Sequence, residues 1–335
     1  MEAIANILSL LPQPAKVVIT MHQKPDADAM GSALGLWHFL KKFGHEVTVI
    51  SPTNWAPWLN WMPGCAEVLN FEKQRELSIE LINSAQYLFC LDFNIFHRTK
   101  SMAPFLAAFN GIRVLIDHHE QPDTPNFHYG ISDITKSSTS EMVYDFIVAA
   151  GKDSWIDEYI AQCLYAGVVA DTGSFRFAST HASVHLMVAR LMETGFNHAE
   201  VHSNLFDNFL ENRLRFIGHV LTNCLEFIYE YNTALIAIPK HDILRFEIKT
   251  GDTEGLVNLP LSVQGIKLVG LVIDRDEERK WSFRSKGAFD CNTFARTYFN
   301  GGGHFNASGG STKDSLKDTV TKFKSAVREN GSLLQ

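Results

Sequence analysis

Carboxylate and imidazole side chains recur directly after short apolar runs in the first half of the sequence. The densest group is His22, Asp26 and Asp28, which follows the run Lys16–Thr20. The later groups are Asp92, then Asp117, His118 and His119, then Asp171. Mixed nitrogen and oxygen donors suit Mn²⁺, Mg²⁺ or Zn²⁺ better than a soft metal. Four such groups in one half of the chain predict a metal-binding site.

Each group taken alone also has a structural explanation. Asp26 or Asp28 could cap the helix that follows, with His22 as a surface residue. Asp92 follows a very apolar run, where a buried carboxylate is costly unless it is paired or bound to a metal, but it could equally cap a loop. The metal hypothesis therefore depends on the four groups meeting in the fold.

Short apolar runs alternate with helical patterns through this half of the chain. The predicted strands are Lys16–Thr20, Glu46–Ile50, Tyr87–Leu91 and Arg113–Ile116. The predicted helices are Ala29–Phe43, Pro104–Phe109, Ser140–Ala150, Ile156–Val169 and Ser183–Glu193. Such alternation predicts a mainly parallel, doubly wound sheet with helices on both faces. Ligands of these sheets gather beyond the carboxyl ends of the strands, where the groups of polar residues stand.

The second half of the sequence changes character after a largely helical pattern from His198 to Glu230. Its predicted strands are Ala234–Ile238, Ile266–Ile273 and Trp281–Arg284, the last two joined by the charged turn Asp274–Lys280. Its predicted helices are Thr293–Phe299 and Leu316–Val327. We therefore predict an α/β protein with a metal-binding domain over residues 1–190, a helical linker over 191–215 and a smaller α/β domain over 216–335. We expect the active site in the cleft between the two domains.

Composition narrows the class of protein. The 335 residues are 45% hydrophobic and 20% charged, which is typical of a globular chain of about two domains. The formal net charge of −7 argues against a protein that coats long nucleic acid or docks on an anionic membrane. Five cysteines without a CxxC pair give no disulfide framework or thiolate zinc site. With no apolar run near the ~20 residues of a membrane span, we predict a cytoplasmic protein.

On these residues the sequence resembles the DHH phosphoesterase superfamily, which is named for the Asp-His-His seen here at Asp117, His118 and His119. The second half resembles the domain associated with that family in the stretches Ser282–Ser285 and Gly301–Gly309. The resemblance covers nearly the whole chain. It is closest to the branch of stand-alone nanoRNases and pAp phosphatases.

The resemblance implies two metal ions with a ligand set for each. One site is similar to a set of His22, Asp26 and Asp92, and the other looks like Asp28, Asp92, His118 and Asp171, with Asp92 bridging. Carboxylate-rich ligation favours two Mn²⁺, for which Mg²⁺ or Co²⁺ could substitute. Such a pair would activate a hydroxide for attack on phosphorus.

The resemblance also implies catalytic roles for Asp92, His119 and Asp117. His119 looks like the family residue that faces the substrate phosphate, and as a cation it could neutralise an oxygen or protonate the leaving group. Alternatively, it only orients His118 or Asp117. Asp117 is expected to hold a histidine rather than a metal, because a ligating histidine usually donates its other N–H to a carboxylate or carbonyl.

In the smaller domain the resemblance points to residues that bind substrate. They are Arg284, Ser285, Gly302, Gly303 and His304. A guanidinium can grip a phosphate or a carboxylate with two parallel hydrogen bonds. Glycines let backbone N–H groups approach an anion, although a glycine run is also typical of a flexible turn. These features fit a terminal phosphate on a short nucleotide.

We therefore predict a hydrolase that degrades short oligoribonucleotides (nanoRNA) to mononucleotides and converts pAp to AMP. The alternatives are a phosphodiesterase of cyclic or linear dinucleotides, a RecJ-like single-strand exonuclease and a catalytically silent metal or nucleotide sensor. The expected partners are short RNA, pAp or dinucleotides, not long nucleic acid or a membrane. The oligomeric state is left open, and a homodimer is compatible with the sequence.

Several other residues have a structural interpretation. Ser138 with Glu141 has the spacing of a helix capping box. Arg98 and Arg176 could bind phosphate or form a buried ion pair. Three tryptophans could stack a base, although packing of a loop onto the domain is favoured. They are Trp55, Trp58 and Trp61.

Overall fold

A computed structural model describes residues 1–275 and 278–335 of the chain. The chain divides into two compact units, Met1–Asn208 and Phe209–Gln335, so the division falls inside the predicted linker 191–215. The predicted turn Asp274–Lys280 lies partly outside the described residues, and the strands on either side extend into its ends. Among the described residues, no helix has both the length and the apolar character that a membrane span requires.

The first unit contains one seven-stranded sheet in which every neighbouring pair of strands is parallel. Its strands are β1 (Glu2–Ala3), β2 (Lys16–Thr20), β3 (Glu46–Ser51), β4 (Leu69–Asn70), β5 (Tyr87–Leu91), β6 (Ile112–Asp117) and β7 (Tyr129–Ser132). Its helices are α1 (Ala27–Lys42), α2 (Arg75–Ser84), α3 (Ala103–Ala107), α4 (Thr139–Ala149), α5 (Glu158–Asp171), α6 (Ala182–Met192) and α7 (His198–Phe206). All four predicted strands are present, which confirms the parallel α/β architecture.

Buried side chains on both sides of the strands show that this sheet is covered on both faces. In β5 all five residues are buried. Phe89 belongs to one hydrophobic cluster, whereas its neighbours Leu88 and Cys90 belong to another. Successive side chains of a strand point to opposite faces, so each cluster covers one face of the sheet.

The order of the strands brings the carboxyl ends of β2, β5 and β6 next to one another. The sheet runs β1-β7-β6-β5-β2-β3-β4. The chain passes outward from β2 to β3 and β4, then returns to the other side of β2 with β5. This reversal creates a crevice beyond the strand ends, which is where open α/β sheets bind ligands. The predicted site residues that follow these three strands must therefore meet there.

Glycines allow α1 and α5 to pack closely beside this crevice. A Cβ at Gly31 of α1 would lie 2.3 Å from the carbonyl oxygen of Cys163 in α5. A Cβ at Gly167 of α5 would lie 2.0 Å from the hydroxyl oxygen of Ser140 and 2.7 Å from a carboxylate oxygen of Asp28. Larger residues at these two positions would push the helices apart. The close approach carries the start of α1 toward the end of α5.

The second unit contains a six-stranded mixed sheet in the order β12-β13-β11-β10-β9-β8. Its strands are β8 (Leu225–Ile228), β9 (Thr233–Ile238), β10 (Leu268–Asp274), β11 (Arg279–Ser285), β12 (Gly302–His304) and β13 (Ala307–Thr312). Its helices are α8 (Glu211–Asn223), α9 (Lys240–Arg245), α10 (Cys291–Phe299), α11 (Leu316–Glu329) and α12 (Gly331–Leu334). A smaller α/β domain was predicted for this part of the chain, and the mixed sheet with its helices confirms that class.

The helical prediction from His198 to Glu230 is wrong at its end. Residues Leu225–Ile228 form β8, which pairs with β9 in antiparallel register. The helical periodicity of α8 continues into this segment in the sequence, but pairing with β9 determines its conformation. The residue pattern within a segment does not show which other strand it will pair with.

We predict that Gly31→Ala destabilises the first unit by about 1–3 kcal/mol, because its methyl group would meet backbone atoms of α5 rather than a flexible side chain. Equilibrium denaturation measures the loss. Gly218→Ala is the matched control: Gly218 also lies within a helix, but nothing stands within 4 Å of its ideal Cβ. This variant should be neutral or slightly stabilising, because alanine favours helix more than glycine does. Equal effects of the two substitutions would contradict close packing at Gly31.

Candidate metal centre

The turn between β2 and α1 presents Asp26 and His22 to the crevice. One carboxylate oxygen of Asp26 caps α1 by accepting hydrogen bonds from the backbone N–H groups of Asp28 and Ala29, each at 3.0 Å. Its other oxygen lies 3.7 Å from Nε2 of His22. The capping alternative for Asp26 is therefore correct for one oxygen. The other oxygen remains directed toward the histidine.

His22 is buried and is not the surface residue of the capping alternative. Its Nδ1 lies 2.8 Å from the backbone carbonyl oxygen of Gln23, which can only accept a hydrogen bond. Nδ1 therefore carries a proton, and Nε2 is the ring nitrogen that faces the carboxylates of Asp26 and Asp92. A histidine that ligates a metal is usually oriented in this way.

Asp92 is the carboxylate shared by two imidazoles. One of its oxygens lies 3.3 Å from Nε2 of His22, and the other lies 3.4 Å from Nε2 of His118. The residue is only 2% exposed. The backbone of Asp92 has φ +61°, a left-handed conformation that is uncommon outside glycine and that often marks functional sites. The position between two histidines is the one that a bridging ligand would need.

His118 follows β6 and joins Asp92 to two further carboxylates. Its Nε2 lies 3.3 Å from Asp171 and 3.9 Å from Asp28. Its Nδ1 faces the carbonyl oxygen of Lys136 at 3.4 Å. Both His22 and His118 therefore turn Nδ1 to a backbone carbonyl and Nε2 to the cluster of carboxylates.

Asp28 is held by the beginning of α4, a feature that the sequence reasoning missed. The backbone N–H groups of Thr139 and Ser140 donate to its two oxygens at 2.7 and 2.9 Å, and its side chain is fully buried. The Thr139 hydroxyl donates to Asp92 at 3.0 Å. The capping-box spacing of Ser138 and Glu141 located the start of the helix but gave no sign that it faces Asp28.

Asp117 orients His119 rather than His118. It accepts a hydrogen bond from the backbone N–H of His119 and lies 2.8 Å from Nδ1 of the same residue. Burial lowers the pKa of His119, and the positive charge of Arg98 lowers it further, against the opposing effect of Asp117. His119 is therefore mainly neutral near neutral pH.

The charges of this cluster favour a bound cation. Burial and the neighbouring Asp92 raise the pKa of Asp28 to about 7, and burial with the charge of Asp28 raises the pKa of Asp171. Burial opposes a charge on His22, but Asp26 and Asp92 together raise its pKa to about 10. Asp171 also ends α5, where the helix dipole disfavours a carboxylate. Several buried carboxylates that face imidazole nitrogens need positive charge among them.

Among the groups of donor atoms that lie close enough together to hold a metal ion, two correspond to the predicted ligand sets. They are His22 with Asp26 and Asp92, and Asp28 with Asp92 and His118, each group within 4.8 Å. Asp171 adjoins the second group through His118. Imidazole nitrogen and carboxylate oxygen are donors that suit divalent ions such as Mn²⁺ or Mg²⁺. The residues present thus fit divalent metal binding, whereas the assignment of individual ligands stays a prediction.

In the second unit, β-sheet register places Arg284 and His304 in one row. Both lie opposite Ala307, Arg284 from β11 and His304 from β12, with β13 between them. Directly paired residues of neighbouring strands point to the same face of a sheet, so the two polar side chains flank the small methyl group of Ala307. The guanidinium of Arg284 also donates to the carbonyl oxygen of Phe283 at 2.9 Å.

The other predicted substrate-binding residues of this unit make contacts that support the fold. The Ser285 hydroxyl donates to the carbonyl oxygen of Phe289 and accepts from the side-chain amide of Asn306. Gly302 and Gly303 belong to β12 and not to an open turn. A Cβ at Gly303, whose φ is +149°, would lie 2.6 Å from the carbonyl oxygen of Ala307. This glycine therefore permits the tight pairing of β12 with β13.

The remaining conspicuous residues of the first unit are also accounted for. The three tryptophans Trp55, Trp58 and Trp61 pack against the hydrophobic cluster that contains Phe89, as expected. Arg176 donates to the carbonyl oxygen of Gly173 after α5. Ser138 caps α4, but Glu141 reaches back to Ser137, one residue earlier than in a regular capping box.

Comparison with known proteins identifies the family. Residues 16–168 match the family model "DHH family, N-terminal domain", and residues 232–330 match the DHHA1 domain. The chain belongs to the DHH family. A crystal structure of an exopolyphosphatase-related protein from Bacteroides fragilis is similar throughout, with a TM-score of 0.93 and 36% identity over 98% of this chain and 97% of that one.

Two relatives with the same functional name are similar over most of their length. The bifunctional oligoribonuclease and PAP phosphatase NrnA of Thermus thermophilus is 29% identical over 98% of this chain and 94% of its own. The enzyme of the same name from Bacillus subtilis is 28% identical over 88% of each chain. These matches confirm the resemblance seen in the sequence. This DHH protein is an enzyme, a hydrolase of phosphoesters.

We predict that Asp92→Asn removes or disorders both metal ions, because one amide replaces the carboxylate that both groups of donor atoms share. Metal content measured by elemental analysis should fall from two ions per chain toward none, and turnover should be lost. Asp153→Asn, at an exposed carboxylate of the same unit, provides the control and should keep both ions. Two tightly bound ions in the Asp92 variant would exclude a bridging role.

Metal affinity should rise with pH between about 6 and 8, because a proton and a metal ion compete for the same donor atoms. The raised pKa of Asp28, about 7, means that an increasing share of this carboxylate is protonated as the pH falls through that value. Titration calorimetry with Mn²⁺ at several pH values measures the trend. An affinity independent of pH over this range would show that Asp28 is not a ligand.

Proposed function

We propose that the protein is a manganese-dependent phosphoesterase that degrades short oligoribonucleotides to mononucleotides and converts pAp to AMP. The observation that carries this proposal is the buried Asp92, each of whose two carboxylate oxygens lies near the Nε2 atom of a different histidine. The relatives from Thermus thermophilus and Bacillus subtilis, which bear the name of this double activity, support the choice of substrates.

In this proposal six side chains hold two metal ions. His22, Asp26 and Asp92 would hold one ion, and Asp28, Asp92, His118 and Asp171 would hold the other. The bound ions would supply an activated water as nucleophile and positive charge for the phosphate. Carboxylate-rich ligation with one imidazole at each ion makes Mn²⁺ the expected metal, with Mg²⁺ or Co²⁺ as substitutes.

His119 and Arg98 are the proposed phosphate contacts in the first unit. Asp117 holds the ring of His119 through Nδ1, and in this proposal the oriented ring contacts the substrate phosphate. Because its pKa is lowered, His119 would meet the phosphate as a neutral ring and gain positive character only as phosphate charge approaches. Arg98 lies close enough for its charge to act on His119 and would provide the permanent cation.

The proposed substrates are short because the positive charge available to them is local. The chain as a whole carries −7, so a long nucleic acid would find no extended basic track. The row of Arg284, Ala307 and His304 offers two polar side chains on one face of the second sheet. This pair would bind the far end of a substrate of a few nucleotides, such as its terminal phosphate.

A panel of substrates tests this function: purified protein with Mn²⁺ is given pAp, pApA, a 5-mer and a 24-mer of RNA, and cyclic di-AMP. We expect rapid hydrolysis of pAp and pApA, slower hydrolysis of the 5-mer and little of the 24-mer, with a shallow dependence of binding on salt. Equal rates on pApA and the 24-mer with a steep salt dependence would indicate a RecJ-like exonuclease. Preference for cyclic di-AMP would indicate a cyclic dinucleotide phosphodiesterase, and no manganese-dependent turnover would indicate a sensor.

Arg284→Ala should weaken transition-state binding of pApA by about 2–4 kcal/mol, the range for truncating a group that pairs with charge. Both kcat and KM should change, because binding energy at the far end helps to orient the scissile phosphate. Metal content should be unchanged.

Two controls accompany this variant. A small activated phosphodiester that lacks a far end should be hydrolysed at nearly the wild-type rate by the Arg284 variant. Arg245→Ala, which removes a cation at the end of α9, should leave both substrates unaffected. If Arg284→Ala slows the two substrates equally or strips the metals, Arg284 supports the structure rather than the substrate.

A further inference from the structure

One buried carboxylate outside the proposed ligand set organises the beginning of α4. Glu141 is 2% exposed and accepts four hydrogen bonds from three residues. One oxygen accepts from the backbone N–H and the hydroxyl of Ser137, both at 2.8 Å. The other accepts from the ammonium group of Lys136 and from the hydroxyl of Ser183 in α6, both at 3.2 Å.

The turn that Glu141 holds touches three of the proposed metal ligands. The carbonyl oxygen of Lys136 faces Nδ1 of His118. Three residues further on, α4 begins, and its first N–H groups hold both oxygens of Asp28. The hydroxyl of Thr139 holds Asp92. Residues 136–140 therefore orient one imidazole and two carboxylates.

We infer that Glu141 is a positioning residue of the metal centre and sets metal affinity through the turn at 136–138 without contacting the metals. This inference rests on the proposed metal centre and goes beyond it, because the partners of Glu141 among the described residues are Lys136, Ser137 and Ser183 and include no proposed ligand. Groups that orient metal ligands typically change metal affinity by 10- to 100-fold when they are removed.

The charge of Glu141 is needed for this role, because four donors converge on its two oxygens. Burial opposes ionisation, but hydrogen bonds from Ser137 and the charge of Lys136 outweigh it and lower the pKa of Glu141. Glu141→Gln keeps the size of the side chain but leaves one acceptor oxygen for four donors. Its amide N–H₂ would also face a donor, so the turn would lose at least one of its attachments.

Asp145 offers a matched control. It pairs with the same ammonium group of Lys136 at 2.5 Å, but its side chain is 44% exposed and it makes no hydrogen bond with Ser137 in the part of the chain that the structure describes. Asp145→Asn removes the same amount of charge from the same lysine. If the turn matters rather than the charge around Lys136, only the Glu141 variant should lose metal affinity.

Titration calorimetry of metal-free protein with Mn²⁺ tests the inference directly. The Mn²⁺ dissociation constant of Glu141→Gln should rise by about 10- to 100-fold, and that of Asp145→Asn by less than about twofold. Turnover of Glu141→Gln at saturating Mn²⁺ should return to within about threefold of the wild type, because Glu141 contacts no reacting group. Equilibrium denaturation of the metal-free variant separates this effect from a general loss of stability, which saturating Mn²⁺ also offsets by binding the folded state.

The outcomes separate this inference from the proposed function. If the wild-type protein binds no Mn²⁺, the metal centre itself is wrong. If the wild type binds two ions and Glu141→Gln binds them equally well, or if the two variants weaken binding alike, the metal centre stands and the inference is overturned. Should Glu141→Gln fail to fold, Ser137→Ala removes one hydroxyl bond to Glu141 and should raise the dissociation constant a few-fold; an unchanged value would overturn the inference.

Discussion

The cost of gathering negative charge away from water is the constraint on which the centre of this protein depends. Asp28, Asp92 and Asp117 are almost completely buried within one small region, and each would be unstable there without compensation. The fold supplies part of that compensation through N–H groups at the start of α4 and through imidazole rings. Carboxylates at Asp28 and Asp171 with raised pKa values show that this supply is incomplete. Divalent cations would supply the rest, so the same charges that destabilise the fold would favour metal binding.

Strand order converts this local chemistry into a site. Residues separated by about a hundred positions in the chain can meet because β2, β5 and β6 are neighbours whose carboxyl ends lie side by side. The close packing of α1 on α5 at Gly31 and Gly167 then brings the beginning of one helix to the end of the other. Sheet topology thus sets which side chains can converge, and two glycines set how closely the helices carry them.

The sequence was sufficient to predict strands and site residues where an apolar run is followed directly by metal-binding side chains. Apolar runs located β2, β5 and β6, and the polar residues after them indicated the crevice, because strand ends are where such sheets bind ligands. Contacts over long separations could not be found in this way. The partner of Asp28 is the start of α4, more than a hundred residues away, and capping signals do not reveal what a helix end faces. Strands β12 and β13 also escaped prediction, because their glycines suit close pairing while lacking the β-branched side chains that mark strands.

Charge balance links the metal centre to the size of the proposed substrate. On the proposed ligand set, four carboxylates would be matched by two divalent cations, so the filled centre would be close to neutral overall. A neutral centre attracts a distant phosphate only weakly, and the surrounding chain is acidic. In the proposed function, attraction would then come from single fixed cations such as Arg98 and Arg284, each of which can pair with about one phosphate. A substrate with one or two accessible phosphates would use all of this attraction, whereas each further nucleotide would add an unmatched charge. In the proposed function, a preference for short substrates would therefore follow from the distribution of charge.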